Sequence, residues 1–198
     1  MNFSGARDYI LNRLNTELKP PLFYHSVDHT LDVYDATCKL IELENLEDSQ
    51  QVLLKTAALY HDSGILNRYS DHENESVKLI HVVLPGFGYS PDAVKEISRL
   101  ILQTRLPQRA ITLDEQILCD ADLDYLGRDD FYIHSFQLQL EWNLLGVRRT
   151  NLQEWFGIQV NFLSDHRYFT KSASSLREQK KQQHLNEIKS ILLETRNF

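Results

Sequence analysis

Two histidines at helical spacing are the first side chains of the sequence that could carry chemistry. His25 and His29 lie four residues apart, and residues at that spacing share one face of a helix. Two imidazoles on one face can bind the same metal ion. They can equally be surface neighbours, the commoner outcome for an isolated pair of this kind, so the pair needs support from elsewhere in the chain.

A His-Asp dipeptide closes a strongly apolar helical segment. His61 and Asp62 end the run LLKTAALYHD, in which Ala57 and Ala58 would allow close helix packing. A histidine and a charged aspartate at the end of a buried helix need partners, because burying an unpaired charge is costly. A metal ion would be one such partner, and a hydrogen bond between the two side chains is the simpler alternative.

Three aspartates lie within five residues after a second apolar run. Asp120, Asp122 and Asp124 follow Ile117 and Leu118. Like charges at this density repel one another, and a bound cation would relieve the repulsion. The alternative is a solvated loop whose aspartates cap helices.

Helices must position all of these residues. Apolar side chains recur at helical spacing, and no sustained period-two alternation is present, so we predict an all-α, single-domain bundle of about nine helices. The predicted segments are 28–46, 48–62, 71–83, 90–104, one starting at 112, 129–146, 151–164 and 170–195.

Local signals predict several helix ends. Ser90 before a proline is typical of an N-cap, and Thr112 with Glu115 has capping-box spacing. Asp71 is a further predicted N-cap, as is Asp48 or Ser49. Gly64 is predicted to stop the helix that carries the His-Asp dipeptide.

Composition limits the partners. The 198 residues are 42% hydrophobic and 25% charged, and 21 basic against 28 acidic side chains give a net charge of −7. This favours one globular domain and argues against nucleic-acid polymers and anionic membranes, while a small phosphorylated substrate stays open. Cys38 and Cys119 cannot form a disulfide scaffold, and the sequence has no apolar targeting segment, so we expect a cytoplasmic protein.

Taken together, three segments resemble the HD superfamily of metal-dependent phosphohydrolases. They are HSVDHTLDV from His25, ALYHDSG around His61 and DADLDYLG from Asp120. The chain is most similar to the small stand-alone bacterial members, over about residues 20 to 185. The resemblance implies an HD-domain, phosphodiesterase-like fold over 1–198. Its motif-bearing core would be about 20–130, with the C-terminal helices 130–198 packed on it.

The resemblance also implies roles for individual residues. The superfamily's metal ligands correspond to His29, His61, Asp62 and Asp122. Asp122 is preferred to Asp120 because the ligand is the second acid of the Asp-x-Asp pair. In the phosphodiesterase branch, the histidine four residues before the first ligand donates a proton, a role that corresponds to His25.

The expected metal site is mononuclear. Dinuclear relatives add histidines from the next two helices; His72 and His81 follow the His-Asp motif, but the helix ending at Gln103-Thr104 has none. Two imidazoles and two carboxylates without a thiolate suit Mn, Co, Ni, Fe or Mg. Relatives often place an acid soon after the motif to orient water, and Glu75 is preferred here to Glu73.

These residues predict hydrolysis of a phosphoester in a nucleotide or another small phosphorylated metabolite by a metal-activated water. Asp62 would serve catalysis as well as metal binding. Four basic residues are candidates for binding the phosphate: Arg105, Arg128, Arg167 and Lys171.

Three other functions stay open. They are a catalytically weak sensory or regulatory module that binds metal and nucleotide, an iron oxygenase, and a structural helical protein without metal. The long C-terminal helix could form a homodimer with its copy or pack within the chain.

Overall fold

Nine α-helices and three short 3₁₀ helices form the regular structure of residues 1–194, the part of the chain that the computed structural model describes. No strand occurs in that part, which confirms the all-α class. The predicted last segment reaches residue 195, which lies outside the described residues. The α-helices are α1 (Phe3–Glu17), α2 (Val27–Leu43), α3 (Asp48–Tyr60), α4 (His72–Val83), α5 (Pro91–Gln103), α6 (Leu113–Asp122), α7 (Phe131–Leu145), α8 (Leu152–Asp165) and α9 (Lys171–Glu194).

The chain forms two compact units. The first contains residues 1–19 and 25–123, and therefore α1 to α6. The second contains residues 20–24 and the chain from Asp124 onwards, and therefore α7 to α9. The single domain expected from the sequence stays a prediction. No helix in residues 1–194 combines the length and the apolar character needed to cross a bilayer.

Helix α3 is the central element of the first unit. It packs against α1, α2, α5 and α6, and every residue from Thr56 to Ile65 is buried. The Tyr60 hydroxyl donates a 2.7 Å hydrogen bond to the carbonyl of Ala6 on α1. This position explains the unbroken apolar run from Ala57 to Tyr60, and it puts the His-Asp dipeptide inside the unit rather than on its surface.

Two of the predicted helix starts are confirmed. The Ser90 hydroxyl accepts a 3.2 Å hydrogen bond from the backbone N–H of Ala93 at the start of α5. Thr112 and Glu115 form a complete capping box at the start of α6. Arg99 of α5 reaches the same turn, where it pairs with Asp114 at 2.6 Å. These contacts fix the start of the helix that ends in Asp122.

The other predicted helix starts need correction. Glu47, not Asp48 or Ser49, is the N-cap of α3, and its side chain makes no capping bond. Asp71 is at the N-cap position of α4 with a left-handed φ of 64°, but it does not cap the backbone. Its carboxylate instead accepts from the Asn74 amide at 2.9 Å. No bounds were predicted for α1, although its buried residues Ala6, Ile10 and Leu14 lie four apart.

The prediction that Gly64 stops a helix is wrong. Helix α3 ends at Tyr60, and Gly64 lies in the 3₁₀ helix Ser63–Leu66, which packs closely against α4. A Cβ on Gly64 would lie 2.1 Å from the carbonyl oxygen of His72 and 2.3 Å from the backbone nitrogen of Ser76. This position therefore requires glycine because two backbones meet there.

The second unit has its own core. Trp155 of α8 is fully buried and donates a 2.9 Å hydrogen bond from its indole N–H to the hydroxyl of Ser135 on α7. Helix α9 packs against α8 and against the 3₁₀ helix Asp124–Gly127. Its buried residues include His184, Leu185 and Ile188 at helical spacing. The last helix therefore packs within its unit along one stripe.

We expect Gly64→Ala to destabilise the protein strongly. The added methyl group meets backbone atoms of α4 that cannot rotate away, so the free energy of unfolding should fall by about 3 kcal/mol. Gly157→Ala in α8 is the matched control. Nothing lies within 4 Å of its added Cβ, and the unfolding free energy should rise by up to about 1 kcal/mol. Urea denaturation measures both, and equal values for the two variants would refute this account of Gly64.

Candidate metal centre

Four side chains of the first unit, on α2, just after α3 and on α6, lie close together. His29 is on α2, His61 and Asp62 directly follow α3, and Asp122 is the last residue of α6. The Nε2 atoms of the two histidines are 3.4 Å apart. Asp62 Oδ2 lies 3.4 Å from Nε2 of His29 and 3.1 Å from that of His61. Asp122 Oδ1 lies 3.5 Å from each. These are the four ligands that the sequence resemblance implies.

Local hydrogen bonds set the orientation of these side chains. Nδ1 of His61 is 2.8 Å from the carbonyl oxygen of Ala58. When Nδ1 donates its proton there, the neutral ring keeps its lone pair on Nε2, which faces the cluster. The Gln108 amide donates a 3.0 Å hydrogen bond to Oδ2 of Asp122, whose other oxygen faces the histidines. A second contact therefore directs the donor atoms of His61 and Asp122 towards the cluster.

The donor set fits a divalent metal ion. Metal–nitrogen and metal–oxygen bonds of about 2.1 Å place neighbouring donor atoms roughly 3.0–3.4 Å apart in octahedral or tetrahedral geometry. The distance between the two imidazole Nε2 atoms, and the distances from each of them to Asp62 Oδ2 and Asp122 Oδ1, run from 3.1 to 3.5 Å. Two imidazoles and two carboxylates also match the ligand preferences of borderline and harder ions.

The cluster is a buried group of opposite charges. Burial opposes charge on the rings of His29 and His61, but Asp62 and Asp122 outweigh it and raise the pKa of both histidines. Burial would likewise raise the pKa of Asp62, but the histidines around it hold that pKa well below its usual range. Metal binding must therefore compete with protons on the rings.

A second group of donors shares Asp62. Nε2 of His72, on α4, is 3.2 Å from Asp62 Oδ1, and its Nδ1 is 2.9 Å from the carbonyl oxygen of Tyr69. Burial lowers the pKa of His72, but the charge of Asp62 outweighs it and brings that pKa to about 9. The His25 ring lies 5.1 Å from the His72 ring. Donor atoms of His25, Asp62 and His72 all lie within 4.8 Å of one another.

The two acids after the His-Asp motif have different surroundings. The Glu75 carboxylate pairs with Lys78 at 2.6 Å. The Glu73 carboxylate lies 3.9 Å from Nε2 of His72, which itself contacts Asp62. The structure thus places Glu73, rather than the preferred Glu75, beside the cluster. Helix periodicity could not separate them, because both are in the first turn of α4.

The three clustered aspartates are used differently. Asp122 faces His29 and His61, as described above. Asp120 is buried. Asp124 belongs to the second unit, where its two oxygens accept from the Arg177 guanidinium at 2.7 and 2.9 Å. Arg177 therefore balances the charge of Asp124, a pairing that the sequence did not indicate.

The four predicted phosphate-binding residues are distributed over both units. Arg105, in the first unit, pairs with Asp71 and lies 3.7 Å from Glu73. The other three belong to the second unit: Arg128 pairs with Asp130, Arg167 donates to the carbonyls of Ser164 and His166, and Lys171 is the exposed first residue of α9.

Two further residues were missed by sequence reasoning. Gln108 orients Asp122, and the Tyr69 carbonyl orients His72. Both lie in loops, where no periodic pattern marks a contact.

Solved structures share this fold. A predicted HD-superfamily hydrolase from an uncultured Thermotogales bacterium is 19% identical in sequence, with a TM-score of 0.64; the match covers 94% of this chain and 91% of that one. YpgQ of Bacillus subtilis, solved in complex with ADP, is also 19% identical, with a TM-score of 0.67 over 96% of this chain and 95% of the other. The chain therefore has the fold of HD-domain proteins. No family model and no curated protein matches the sequence.

We expect metal binding to release protons. The neighbouring carboxylates raise the pKa of His29 and His61 and so favour protons on their rings, whereas a metal ligand must be neutral. Calorimetry of Mn²⁺ binding in buffers of different ionisation enthalpy should show protons released on binding, and more of them as the pH is lowered. Affinity should rise with pH until both rings are deprotonated.

The control is His81→Gln, which changes a histidine whose ring contacts Ser98 at 3.3 Å. Proton release should be unchanged in this variant. Mn²⁺ binding without proton release would show that these two rings are not ligands.

Proposed function

We propose that this chain is an HD-superfamily hydrolase that uses a divalent metal ion to cleave a phosphoester of a nucleotide or another small phosphorylated metabolite. The observation that carries the proposal is the convergence of His29, His61, Asp62 and Asp122 at distances that fit one ion. The shared fold with a predicted HD-superfamily hydrolase and with the ADP complex of YpgQ supports it.

The four residues would hold one ion per chain, of Mn, Co, Ni, Fe or Mg. When bound, such an ion supplies a Lewis acid for a phosphoryl oxygen and a water molecule of lowered pKa. The chain contributes the arrangement around it. Gln108 and the Ala58 carbonyl hold Asp122 and His61 in place, and Asp62 links the ligands to His72 through its second oxygen.

His25 is the proposed proton donor to the leaving oxygen. Its side chain is partly exposed, and its ring lies 6.4 Å from the His29 ring and 5.1 Å from the His72 ring. It is therefore next to the ligands and within reach of a substrate. A positioned imidazole is suited to giving a proton to an alkoxide as it leaves.

Arg105 is the first of the proposed phosphate-binding residues. Its side chain is 44% exposed, and it already holds the carboxylates of Asp71 and Glu73. An arginine can exchange such surface partners for a phosphate that it binds in a bidentate manner. Arg128, Arg167 and Lys171 stay as further proposals. With a net charge of −7, we expect a small substrate rather than a nucleic-acid polymer.

The cysteines bear on the compartment. The free thiols Cys38 and Cys119 support a cytoplasmic site of action.

We expect chelator-treated protein reloaded with Mn²⁺ to release phosphate or pyrophosphate from at least one nucleotide. The measurement is a product assay over nucleoside mono-, di- and triphosphates and a generic phosphomonoester. Asp122→Asn should lower the rate about a hundredfold or more, because it removes a ligand charge. Lys78→Ala, on the exposed side of α4, is the control and should keep full activity.

The outcomes separate the two leading functions. Turnover that Asp122→Asn leaves intact would contradict the proposed site. Tight binding of ADP without product for any substrate would establish the regulatory module instead.

We expect Glu73→Gln and Glu75→Gln to differ, although each removes one negative charge from the first turn of α4. Glu73 lies beside His72, which holds Asp62, so Glu73→Gln should lower kcat about tenfold or more. Glu75 pairs with Lys78, and its variant should stay within about twofold of the parent protein. Steady-state kinetics with the best substrate measures both, and equal losses would refute a special role for Glu73.

A further inference from the structure

Each carboxylate of the candidate metal centre divides its two oxygens between different partners. Asp62 presents Oδ2 to the Nε2 atoms of the two ligand histidines, while its Oδ1 lies 3.2 Å from Nε2 of His72. Asp122 presents Oδ1 to the same two rings, while its Oδ2 accepts a 3.0 Å hydrogen bond from the Gln108 amide. In both side chains, a residue outside the ligand set therefore holds the second oxygen.

Gln108 lies in the loop between α5 and α6, and this loop is fixed at both ends. At its end, the backbone N–H groups of Ile111 and Thr112 donate to the Glu115 carboxylate at 2.8 and 3.0 Å. At its start, the Arg105 guanidinium pairs with the residue that precedes α4. The half-buried Gln108 side chain lies between these two points, so its contact with Asp122 is part of a supported loop.

The amide of Gln108 determines how Asp122 can bind a metal ion. A glutamine donates N–H groups but carries no charge, so it holds Oδ2 without replacing the ion as the counter-charge of the carboxylate. Both oxygens of Asp122 could bind one ion only if this hydrogen bond broke, and hydrogen bonds to charged groups are among the stronger ones in proteins. Asp122 is therefore arranged to bind through Oδ1 alone.

The number of oxygens that a centre offers separates classes of divalent ion. Ca²⁺ takes about six to eight oxygen ligands at roughly 2.3–2.6 Å, and it often uses both oxygens of a carboxylate. First-row transition ions accept imidazole nitrogens and need fewer ligands. Two nitrogens, with one oxygen from each of two carboxylates, suit the second class.

We propose that Gln108 is a specificity-determining residue of the metal centre. By holding Oδ2, it limits Asp122 to one ligand oxygen and so favours Mn²⁺ and the other first-row ions over Ca²⁺. His72 limits Asp62 in the same way, but its ring also lies beside His25, so Gln108 is the cleaner position for a test. The inference rests on the metal centre of the proposed function and is independent of any substrate or reaction.

Competition between Mn²⁺ and Ca²⁺ measures this selectivity. Free Mn²⁺ is counted by its electron paramagnetic resonance signal in chelator-treated protein, first alone and then as Ca²⁺ is added, which gives a dissociation constant for each ion. Gln108→Leu keeps the bulk of the side chain and removes the donor. Its affinity for Mn²⁺ should fall about tenfold, while its affinity for Ca²⁺ should stay or rise, because Oδ2 becomes available. The ratio of the Ca²⁺ to the Mn²⁺ dissociation constant should therefore fall about tenfold or more.

Two further variants sharpen the comparison. Gln108→Glu keeps the length of the side chain, frees Oδ2 and adds an oxygen beside it, so the ratio should fall at least as far as in Gln108→Leu. Gln116→Leu is the matched control, since Gln116 is a half-buried amide of α6 that donates to the Ile111 carbonyl at 3.1 Å rather than to a ligand. Its ratio should stay within about twofold of the parent ratio.

The outcomes distinguish selectivity from structural support. If Gln108→Leu lowered the affinity for both ions equally, Gln108 would only support the loop and the proposal would be overturned. A ratio that Gln108→Glu leaves unchanged would overturn it as well. A parent protein that binds no Mn²⁺ would contradict the metal centre itself, and with it the proposed function. Selective Mn²⁺ binding without turnover of any substrate would contradict the proposed function alone.

Discussion

The buried carboxylate of Asp62 is the charge around which the first unit is arranged. One oxygen faces His29 and His61, and the other faces His72. A carboxylate in this position is stable only if charged or strongly polar groups surround it, because a low-dielectric interior disfavours a lone charge. Those groups are His29 on α2, His61 just after α3 and His72 on α4. Because all three must surround the same carboxylate, its charge ties the positions of the three helices to one another.

The backbone behind Asp62 is held as firmly as its side chain. The Gly64 N–H donates to the Ser76 hydroxyl at 2.7 Å, and that hydroxyl donates to the His61 carbonyl, also at 2.7 Å. This link joins the end of α3 to α4 and needs a glycine, because a Cβ would meet backbone atoms of α4. A metal centre benefits from such support, since ligand atoms must be held within a few tenths of an ångström.

Local sequence patterns predicted much of this arrangement. Helix spacing predicted the all-α class, Ser90 and Thr112 marked two helix starts, and the motifs around His29, His61 and Asp122 predicted the ligands through their resemblance to a family. What it could not provide were contacts between elements distant in sequence. Gly64 was interpreted as a helix stop because glycine adopts turn conformations easily, whereas the structure needs glycine there because a Cβ would meet backbone atoms of α4. Glu73 and Glu75 are indistinguishable until the side of α4 that faces Asp62 is known. Likewise, the apolar residues of α7 are periodic, but periodicity cannot say which face stays exposed.

The central claim is that His29, His61, Asp62 and Asp122 hold one divalent ion. The most direct measurement is an anomalous difference map from crystals grown with Mn²⁺, collected at a wavelength where manganese scatters anomalously. The account predicts one strong peak about 2.2 Å from Nε2 of both histidines, Oδ2 of Asp62 and Oδ1 of Asp122. The absence of a peak there in manganese-saturated crystals, or a peak bound by His25 and His72 in its place, would contradict it.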